Sequence, residues 1–462
     1  MAKNMTEGAV LPLILRFSVP LLLGNLVQQT YNLIDAAIVG RTLGENALAA
    51  VGGSSSIQFL VIGLCIGLCI GFGVPVAQRF GAKDYSRMRS YIFHSYILSI
   101  VIMAVLTLAT TIGCAGILHL LQTAESIFED AYAYLFVIFM GIPFTITYNL
   151  TSSILRAVGD SKTPFMFLVI SAILNVFLDL LFIIVFHWGV MGAALATILS
   201  QGVSGVSCLA YMYKKFDFLR IRKEDMVWIP RRAKKLLNMG VPMGLQFSIT
   251  AIGSMVMQSA NNALGAVQIA GFSVALRIKQ FAMCPFDAFA SAVSTLAGQN
   301  YGAGNAKRIK EGILKGSAVG VIYGILIGII LIAFGRDLST IFIKENSETA
   351  SAVLDASARF LFVAGFFYWA LGILNTTRLA AQGLGFSNLA IFSGVTEMVA
   401  RISVVVFFVP KYKFDAICFA DPTAWVTGAI YSTIICIYAI RKVKETLKQK
   451  DKAQNAVKGN IA

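Results

Sequence analysis

The stretch ISAILNVFLDLLFIIV, residues 170–185, is apolar enough for the interior of a lipid bilayer except at three positions. Ser171 is small, but Asn175 and Asp179 are strongly polar, and they lie four residues apart, so on a helix they share one face. An ionised Asp that faced lipid at mid-helix would cost at least ~2.5–3.5 kcal/mol on insertion scales. The stretch therefore predicts a membrane helix whose polar face is turned towards protein.

The whole chain has the composition of a membrane protein. It has 462 residues, of which 57% are hydrophobic and 13% are charged, and its mean hydropathy is +0.76. Soluble domains average roughly 45–50% apolar and about 25% charged residues. Apolar stretches long enough to cross a ~30 Å hydrocarbon core recur along the chain. We expect an all-α polytopic protein with twelve spans near 11–38, 48–76, 91–117, 131–155, 163–186, 190–213, 236–260, 268–296, 312–334, 352–375, 386–409 and 424–441.

The distribution of basic residues predicts the topology. Most of the 38 Lys and Arg lie in loops that follow even-numbered spans or in the C-terminal tail. The opposite loops hold five: Arg41, Arg336, Lys344, Lys411 and Lys413. Under the positive-inside rule, this bias places both termini in the cytoplasm and the protein in the cell membrane. The net charge of +15 is thus explained by topology, and the basic segment 214–235 is expected to contact anionic lipid, not nucleic acid.

An internal repeat divides the chain into halves. The stretch AQRFGAKDYSRMR (77–89) corresponds to GQNYGAGNAKRIK (298–310), and NLTSSILRAVGDS (149–161) corresponds to NTTRLAAQGLGFS (375–387) at nearly the same offset along the chain. We predict two pseudo-symmetric six-helix bundles around a central cavity, as in transporters built from repeats. The predicted parts are an N-terminal lobe (1–213), a cytoplasmic connector (214–235), a C-terminal lobe (236–445) and a cytoplasmic tail (446–462).

The halves differ in their polar residues. In the register of the repeat, Asp35 corresponds to Val256 or Met257, Asn175 lies near Arg401 and Asp179 near Val405, so the carboxylates of the first half have no counterparts. Oxygen donors on Asp35, Asn175, Asp179 and Thr197 suit a hard monovalent cation. They suit a proton equally, because burial favours the protonated form of a carboxyl group. Two alternatives stay open: Asp35 at a hydrated outer interface, and Asn175 as an interhelical hydrogen-bond partner.

These motifs resemble the MATE (multidrug and toxic compound extrusion) transporters. The resemblance is carried by DAAIVG (35–40), AQRFGA, the block from LRAVGDSKTPF to GVMGAALAT (155–197), GQNYGAG and QGLG. It implies a twelve-helix exporter that exchanges organic cations for Na⁺ or H⁺, with no cofactor besides that ion. In one branch of the family the ion site lies in the N-terminal lobe, and Asp35, Asn175, Asp179 and Thr197 match its positions, with Tyr134 as a further match on the fourth helix.

A second branch of the family has acidic residues on the seventh and tenth helices. Here the seventh span offers Gln246, Ser248 and Thr250, and the tenth offers Asn375, so a second-lobe ion site is not expected. Glu397 and Arg401, four residues apart, are expected either to pair or to contact substrate. The candidate residues of the substrate cavity are Gln28, Asn32, Asn149, Gln246, Asp287, Asn375, Glu397 and Arg401.

Three functions compete at the level of sequence. The favoured one is a cation-coupled antiporter that exports small organic cations across the cell membrane and acts as a monomer. The alternative is a flippase for lipid-linked saccharides, a function of a related transporter family, although the first lobe shows acidic and amide groups where a pyrophosphate would need cationic ones. An enzyme is not expected, since the sequence has no nucleophile–base, paired-carboxylate or zinc signature.

Overall fold

The chain folds into helices because a bilayer offers no hydrogen-bond partners to the backbone. The computed structural model describes residues 4–120, 123–343 and 349–459, and within these ranges every regular element is helical. The α-helices are α1 Val10–Leu43, α2 Glu45–Gly81, α3 Tyr85–Leu120, α4 Glu125–Met140, α5 Ile142–Ala157, α6 Lys162–Asp179, α7 Gly189–Lys215, α8 Pro230–Asn262, α9 Ala266–Gly302, α10 Ala306–Thr340, α11 Ala350–Gly365, α12 Tyr368–Gly383, α13 Ser387–Phe407 and α14 Val409–Gly459. A π-helical turn, Leu180–Val185, continues α6, and 3-10 turns lie at Asp217–Leu219 and Lys223–Asp225.

The described helices provide twelve spans when two bent pairs are each counted as one. Ten helices in the described ranges are individually long and apolar enough to cross a membrane. The pair α4–α5 bends by 45° and the pair α11–α12 by 56°. The expectation of twelve spans is confirmed, but the fourth and tenth spans are not the continuous helices predicted near 131–155 and 352–375. In the fourth span, Gly141 separates the two helices and Pro143 lies in the first turn of α5, where its missing N–H costs little.

The turns repeat the internal symmetry of the sequence. Backbone φ angles are positive at Gly44 (88°) and Gly265 (111°), which correspond in the repeat and lie directly before α2 and α9. They are also positive at Gly159 (86°) and Gly385 (98°), a second corresponding pair. Glycine adopts this left-handed conformation without steric cost, so both halves turn at the same point. Two further corresponding pairs show positive φ: Lys83 with Gly304, and His187 with Lys413, which interrupts α14.

The described chain forms two compact units. Unit 1 consists of Val19–Phe80 and Asp84–Ser248, and unit 2 consists of Asn4–Ser18, Gly81–Lys83 and the chain from Ile249 onward. In unit 1, α7 packs against α4, α5 and α6. In unit 2, α12 packs against α9, α10, α13 and α14 around the buried rings of Tyr368 and Trp425. The predicted lobe borders at 213, 236 and 446 stay predictions, and Lys344 and residues 460–462 lie outside the described ranges.

A stripe of glycines lets α10 approach its neighbours closely. Gly312, Gly316, Gly320, Gly324 and Gly328 recur every fourth residue and are all buried. A Cβ added to Gly320 would come within 3.1 Å of the backbone of Gly372 on α12. Such small-residue stripes permit helix–helix packing where water supplies no hydrophobic driving force.

Candidate functional site

The polar face predicted on residues 170–185 is buried inside unit 1. Asn175 and Asp179 lie on α6 with exposed fractions of 2% and 0%. Asp179 is the last residue of α6, and the wider π-helical turn begins at the next residue. Because π-helical turns are rare and occur often at functional sites, this change of geometry beside a buried carboxylate marks the position as a candidate site.

Thr197 on α7 fixes the orientation of the Asn175 amide. The hydroxyl of Thr197 donates to the carbonyl oxygen of Ala193 at 3.1 Å, and it accepts from Nδ2 of Asn175 at 3.5 Å. The amide oxygen of Asn175 is therefore left as the group available to a ligand. It is buried and receives no hydrogen bond from the described residues. Both the interhelical bond and an available ligand oxygen are thus present on one side chain.

Asp35 on α1 lies beside Asp179. The two carboxyl groups are within hydrogen-bonding reach of each other. Both oxygens of Asp179 and one of Asp35 are buried without a donor from the described residues. A hydrogen bond between two carboxyl groups requires a proton on one of them, and two bare carboxylates would repel. The pair is therefore arranged for a shared proton or a bound cation.

Two tyrosines border this pair. Tyr134 on α4 is buried and lies close to Asp35, Tyr31, Asp179 and Gln58. Tyr31 on α1 lies close to the side chains of Gln28 and Gln201. Five predicted residues, Asp35, Tyr134, Asn175, Asp179 and Thr197, are thus brought into one neighbourhood, which we call the polar site. Sequence reasoning missed Gln58, because a single glutamine in an apolar span carries no distinguishing spacing.

The chemistry of the polar site is that of an acceptor-rich pocket. Four buried oxygen atoms on three side chains lack donors among the described residues. A buried polar atom without a partner costs free energy, and a buried charge costs more. A small cation or a proton would remove that cost. Carboxylate, amide and hydroxyl oxygens are the ligands that hard cations prefer.

A second group of charged and polar side chains, of which Glu397, Arg401 and Asp421 are buried, lies in unit 2, and we call it the ionic cluster. Arg378 donates to Glu397 at 2.8 Å and to the amide oxygen of Asn375 at 2.6 Å, and Asn375 donates to Asp287 at 3.2 Å. Arg401 contacts Glu397 at 3.7 Å. The members of the cluster are Lys279, Asp287, Asn375, Arg378, Glu397, Arg401 and Asp421.

Charge balance explains how Glu397, Arg401 and Asp421 of the ionic cluster can be buried. It contains three cationic and three anionic side chains, and Asp421 pairs with Lys279 and, at 2.9 Å, with Arg401. Buried ions need such partners to offset desolvation. Glu397 and Arg401 do pair as one alternative predicted, but each has a shorter contact elsewhere. Arg378 and Asp421 were missed because the sequence placed them in loops, whereas α12 extends to Gly383 and α14 includes residue 421.

The remaining predicted cavity residues all lie in unit 1. Gln28 contacts Tyr31, Asn32 is exposed, and Gln246 is buried in unit 1. Asn149 donates to the carbonyl oxygen of Thr145 within its own helix at 2.8 Å. A role for these side chains in substrate binding stays a prediction.

The sequence is similar to a protein family and to individual curated proteins. The sequence model of the family described as MatE matches residues 20–181 and 242–407. The "Probable multidrug resistance protein YpnP" of Bacillus subtilis (strain 168) is 32% identical over 429 residues, which cover 90% of each chain. The "Multidrug export protein MepA" of Staphylococcus aureus (strain NCTC 8325 / PS 47) is 23% identical over 436 residues, covering 93% of this chain and 91% of that protein.

Solved structures share the fold. A crystal structure of MATE in complex with MaL6 superposes with a TM-score of 0.88 at 24% identity, covering 96% of this chain and 99% of that chain. The outward-facing conformation of a multidrug resistance MATE family transporter of the MOP superfamily gives a TM-score of 0.84 at 22% identity, covering 96% and 98%.

Proposed function

The chain belongs to the MatE family of multidrug efflux transporters, and from this premise we propose that it is a cation-coupled antiporter that exports organic cations. It is a multi-pass membrane transporter and not an enzyme. The proposal adds three points to the family membership: the coupling ion is H⁺ or Na⁺, it binds in unit 1, and the exported substrates are cationic.

The observation that supports coupling is the set of buried oxygens without donors on Asp35, Asn175 and Asp179. Two adjacent carboxylates in an apolar bundle are costly when both are bare, and a cation or proton removes much of that cost. An ion that binds one conformation of unit 1 more tightly than another shifts the equilibrium between them by that difference in affinity. The polar site therefore has the chemistry that ion-driven alternating access needs.

The available driving force is sufficient. One elementary charge moving through 100 mV supplies about 2.3 kcal/mol. A tenfold substrate gradient requires about 1.4 kcal/mol. One coupling ion per substrate can thus sustain an outward gradient without ATP. The sequence contains no phosphate-binding G-x-x-x-x-G-K-[ST] loop that would indicate direct use of ATP.

The ionic cluster suggests where a cationic substrate is bound. Glu397 and Asp421 each form ion pairs with arginine or lysine, whereas Asp287 accepts a hydrogen bond from the neutral amide of Asn375 and forms no ion pair among the described residues. A cationic drug can pair with Asp287 without first displacing a protein cation. Asp287 is therefore the acidic residue of the predicted cavity that we favour as a substrate contact.

Flipping of lipid-linked saccharides is not favoured. A pyrophosphate needs several cationic side chains that no carboxylate neutralises. The polar site offers acidic and amide oxygens, and the ionic cluster has as many anionic as cationic groups. The curated relatives above are named for multidrug resistance and export.

The test measures proton and sodium movements separately in proteoliposomes that contain the full chain. Adding a cationic drug on the side from which it is exported should drive a counterflow of one ion, reported by a pH-sensitive or a sodium-sensitive dye. The Asp179→Asn protein should bind the drug but drive neither ion. Asp337→Asn is the matched control, because it makes the same chemical change at an exposed carboxylate. Drug-driven ion flux in Asp179→Asn equal to that of the control would refute the proposal.

A further inference from the structure

A cavity of about 380 Å³ opens on unit 1 away from the polar site and is lined mainly by arginines. Its lining residues are Arg79, Arg87, Tyr91, Ile229, Arg231 and Arg232. They come from the last turn of α2, the start of α3 and the start of α8. We call it the arginine pocket. None of its residues belongs to the polar site or to the ionic cluster.

The positive charge of the arginine pocket exceeds the negative charge around it. Asp84 is the carboxylate that contacts its arginines, at 3.4 Å from Arg79 and 3.6 Å from Arg87. Arg232 donates to the hydroxyl of Ser90 and lies over the ring of Tyr91. Arg231 is exposed and forms no ion pair among the described residues. Among the described residues, one carboxylate thus contacts two of the four guanidinium groups and none pairs with the other two, so the pocket can accept an anion.

The helix α8, which supplies two of these arginines, adds to the positive electrostatic potential of the pocket. Arg231 and Arg232 lie in the first turn of α8, which contains no acidic residue. The N-terminus of a helix carries partial positive charge, so cationic side chains there are unfavourable and an anion is favourable. Lys235, one turn later, also lies over the ring of Tyr91. The basic side chains and the N-terminus of α8 therefore all make the electrostatic potential of the pocket more positive.

The internal repeat provides a comparison inside the same molecule. Arg308 occupies the position in unit 2 that Arg87 occupies in unit 1. Arg308 donates to the carbonyl oxygens of Gly8 at 2.7 Å, Met5 at 3.2 Å and Glu7 at 3.3 Å. In unit 2, backbone carbonyl oxygens therefore accept the hydrogen bonds that the Arg308 guanidinium group can donate. In the described part of unit 1, the side chain of Arg87 pairs with Asp84 at 3.6 Å, and Arg231 and Arg232 occupy the positions that Val10 and Leu11 have in unit 2.

Exposed apolar side chains lie directly beside the pocket. Met226, Val227 and Trp228 are 52%, 59% and 47% exposed and immediately precede Ile229 of the lining. The indole of Trp228 stacks on His94 with ring centroids 4.9 Å apart. Tryptophan beside basic residues is typical of the membrane–water interface. A soluble anion would gain nothing from three exposed apolar side chains, whereas a lipid would.

We propose that the arginine pocket binds the phosphate headgroup of an anionic phospholipid, with Met226, Val227 and Trp228 placed among its acyl chains. The pocket lies on the side that the distribution of Lys and Arg predicts to be cytoplasmic, so the lipid belongs to the cytoplasmic leaflet. This inference does not depend on the ion or the substrate of the proposed function.

The test titrates the purified full chain in detergent with phosphatidylglycerol and with phosphatidylcholine of the same acyl chains, and counts bound lipids by native mass spectrometry. Wild-type protein should retain phosphatidylglycerol in preference to phosphatidylcholine. Arg231→Gln with Arg232→Gln should weaken its binding about 30-fold, which corresponds to about 1 kcal/mol for each arginine removed. Lys307→Gln with Lys310→Gln removes the same charge from exposed positions of α10 and should leave binding unchanged.

Further arms separate the possible sources of the phosphate. Inorganic phosphate or glycerol phosphate should not displace the lipid at equal concentration, and Trp228→Ala should weaken lipid binding. Displacement by either soluble anion would overturn the assignment to a lipid. Equal binding of both lipids by wild-type protein, or unchanged phosphatidylglycerol binding in the double variant, would overturn the proposal that the arginine pocket binds an anionic phospholipid. The single variant Arg231→Gln, at an exposed residue, decides the question if the double variant does not fold.

Discussion

Asp179 and Asp35 share the polar site but differ in their surroundings. Asp179 is fully buried and both of its oxygens lack donors from the described residues, whereas Asp35 is half-buried and has one such oxygen. Neutralising Asp179 therefore removes the larger desolvation cost. At the scale of single residues, we therefore expect ion binding to depend most on Asp179.

We predict that Asp179→Asn abolishes coupled export while the protein still expresses and folds, and that Asp35→Asn does nearly the same. Loss of a charge-assisted contact of about 1.5–3 kcal/mol weakens cation binding by roughly 10- to 150-fold. The measurement is drug efflux driven by an imposed ion gradient, with thermal unfolding as the check on folding. Normal ion-driven efflux in Asp179→Asn would contradict this prediction and would mean that the polar site serves the structure and not ion coupling.

Thr197 acts on the same site through the orientation of Asn175. Thr197→Ala removes the acceptor of the Asn175 Nδ2 group. The amide then loses its fixed orientation, and we expect ion affinity to fall by about fivefold, as for loss of one hydrogen bond of about 1 kcal/mol. Thr197→Ser retains the hydroxyl and should keep wild-type affinity, measured as the ion concentration that half-activates drug efflux. Equal losses in both variants would assign the effect to the Thr197 methyl group.

Two elements are shaped by features beyond their hydropathy. The fifth span changes from α-helix to a π-helical turn directly after Asp179, which places the change of geometry next to the polar site. On α10, the buried glycine stripe allows backbone contact with α12 and with Gly365 of α11. At the scale of helices, backbone geometry and residue size therefore determine the packing as much as apolar character does.

We predict that Gly320→Leu destabilises the protein by about 1–3 kcal/mol, because the added side chain must push α12 away. Ala318→Leu is the matched control, since it adds similar volume to an exposed position of the same helix. The midpoint of thermal unfolding in detergent should fall for the first variant and not for the second. Equal midpoints would mean that α10 and α12 are not in tight contact.

The whole molecule combines a repeated fold with two different polar centres. The turns with positive φ recur at corresponding positions of the two halves, yet unit 1 holds the polar site and unit 2 holds the balanced ionic cluster. The residue in unit 2 that corresponds to Asn175 is Arg401, which pairs with Asp421. A symmetric scaffold thus carries an asymmetric distribution of charge.

We predict that Glu397→Gln changes which drugs are exported more than it changes ion coupling. Its carboxylate pairs with Arg378 and Arg401, so the substitution alters the charge of the ionic cluster while the polar site keeps its oxygens. The measurement compares a panel of cationic drugs in efflux assays with ion half-activation in the same proteoliposomes. Loss of ion binding with normal drug binding in Glu397→Gln would contradict an ion site confined to unit 1.

The topology can be tested by maleimide labelling of introduced cysteines, because all seven native cysteines are buried and unpaired and should react little. Lys223→Cys, in the connector, should react with a membrane-impermeant maleimide only after cells are permeabilised. Lys411→Cys, in a loop predicted on the opposite side, should react in intact cells. Both residues are exposed. Labelling of Lys223→Cys in intact cells would invert the predicted orientation.

The sequence by itself determined the helical membrane fold, its twelve spans and the internal repeat. It also selected four residues of the polar site, Asp35, Asn175, Asp179 and Thr197, since hydropathy, spacing on a helix face and the cost of a buried charge are local properties. Asn175 and Asp179 could be assigned to one face from their spacing alone. Asp35 and Thr197 were selected as polar residues of their own spans, Tyr134 was matched through the family resemblance, and packing brings all three beside Asn175 and Asp179.

The tertiary structure decided what depends on neighbours distant in sequence or on small changes of backbone geometry. It showed the bends at Gly141 and after Gly365, the π-helical turn after Asp179, and the partners of Glu397. It also brought Arg79, Arg87, Arg231 and Arg232 from three helices to one pocket. Hydropathy does not encode these features, because apolar sequences of similar composition can bend, widen or pair in several ways, and side-chain packing selects among them.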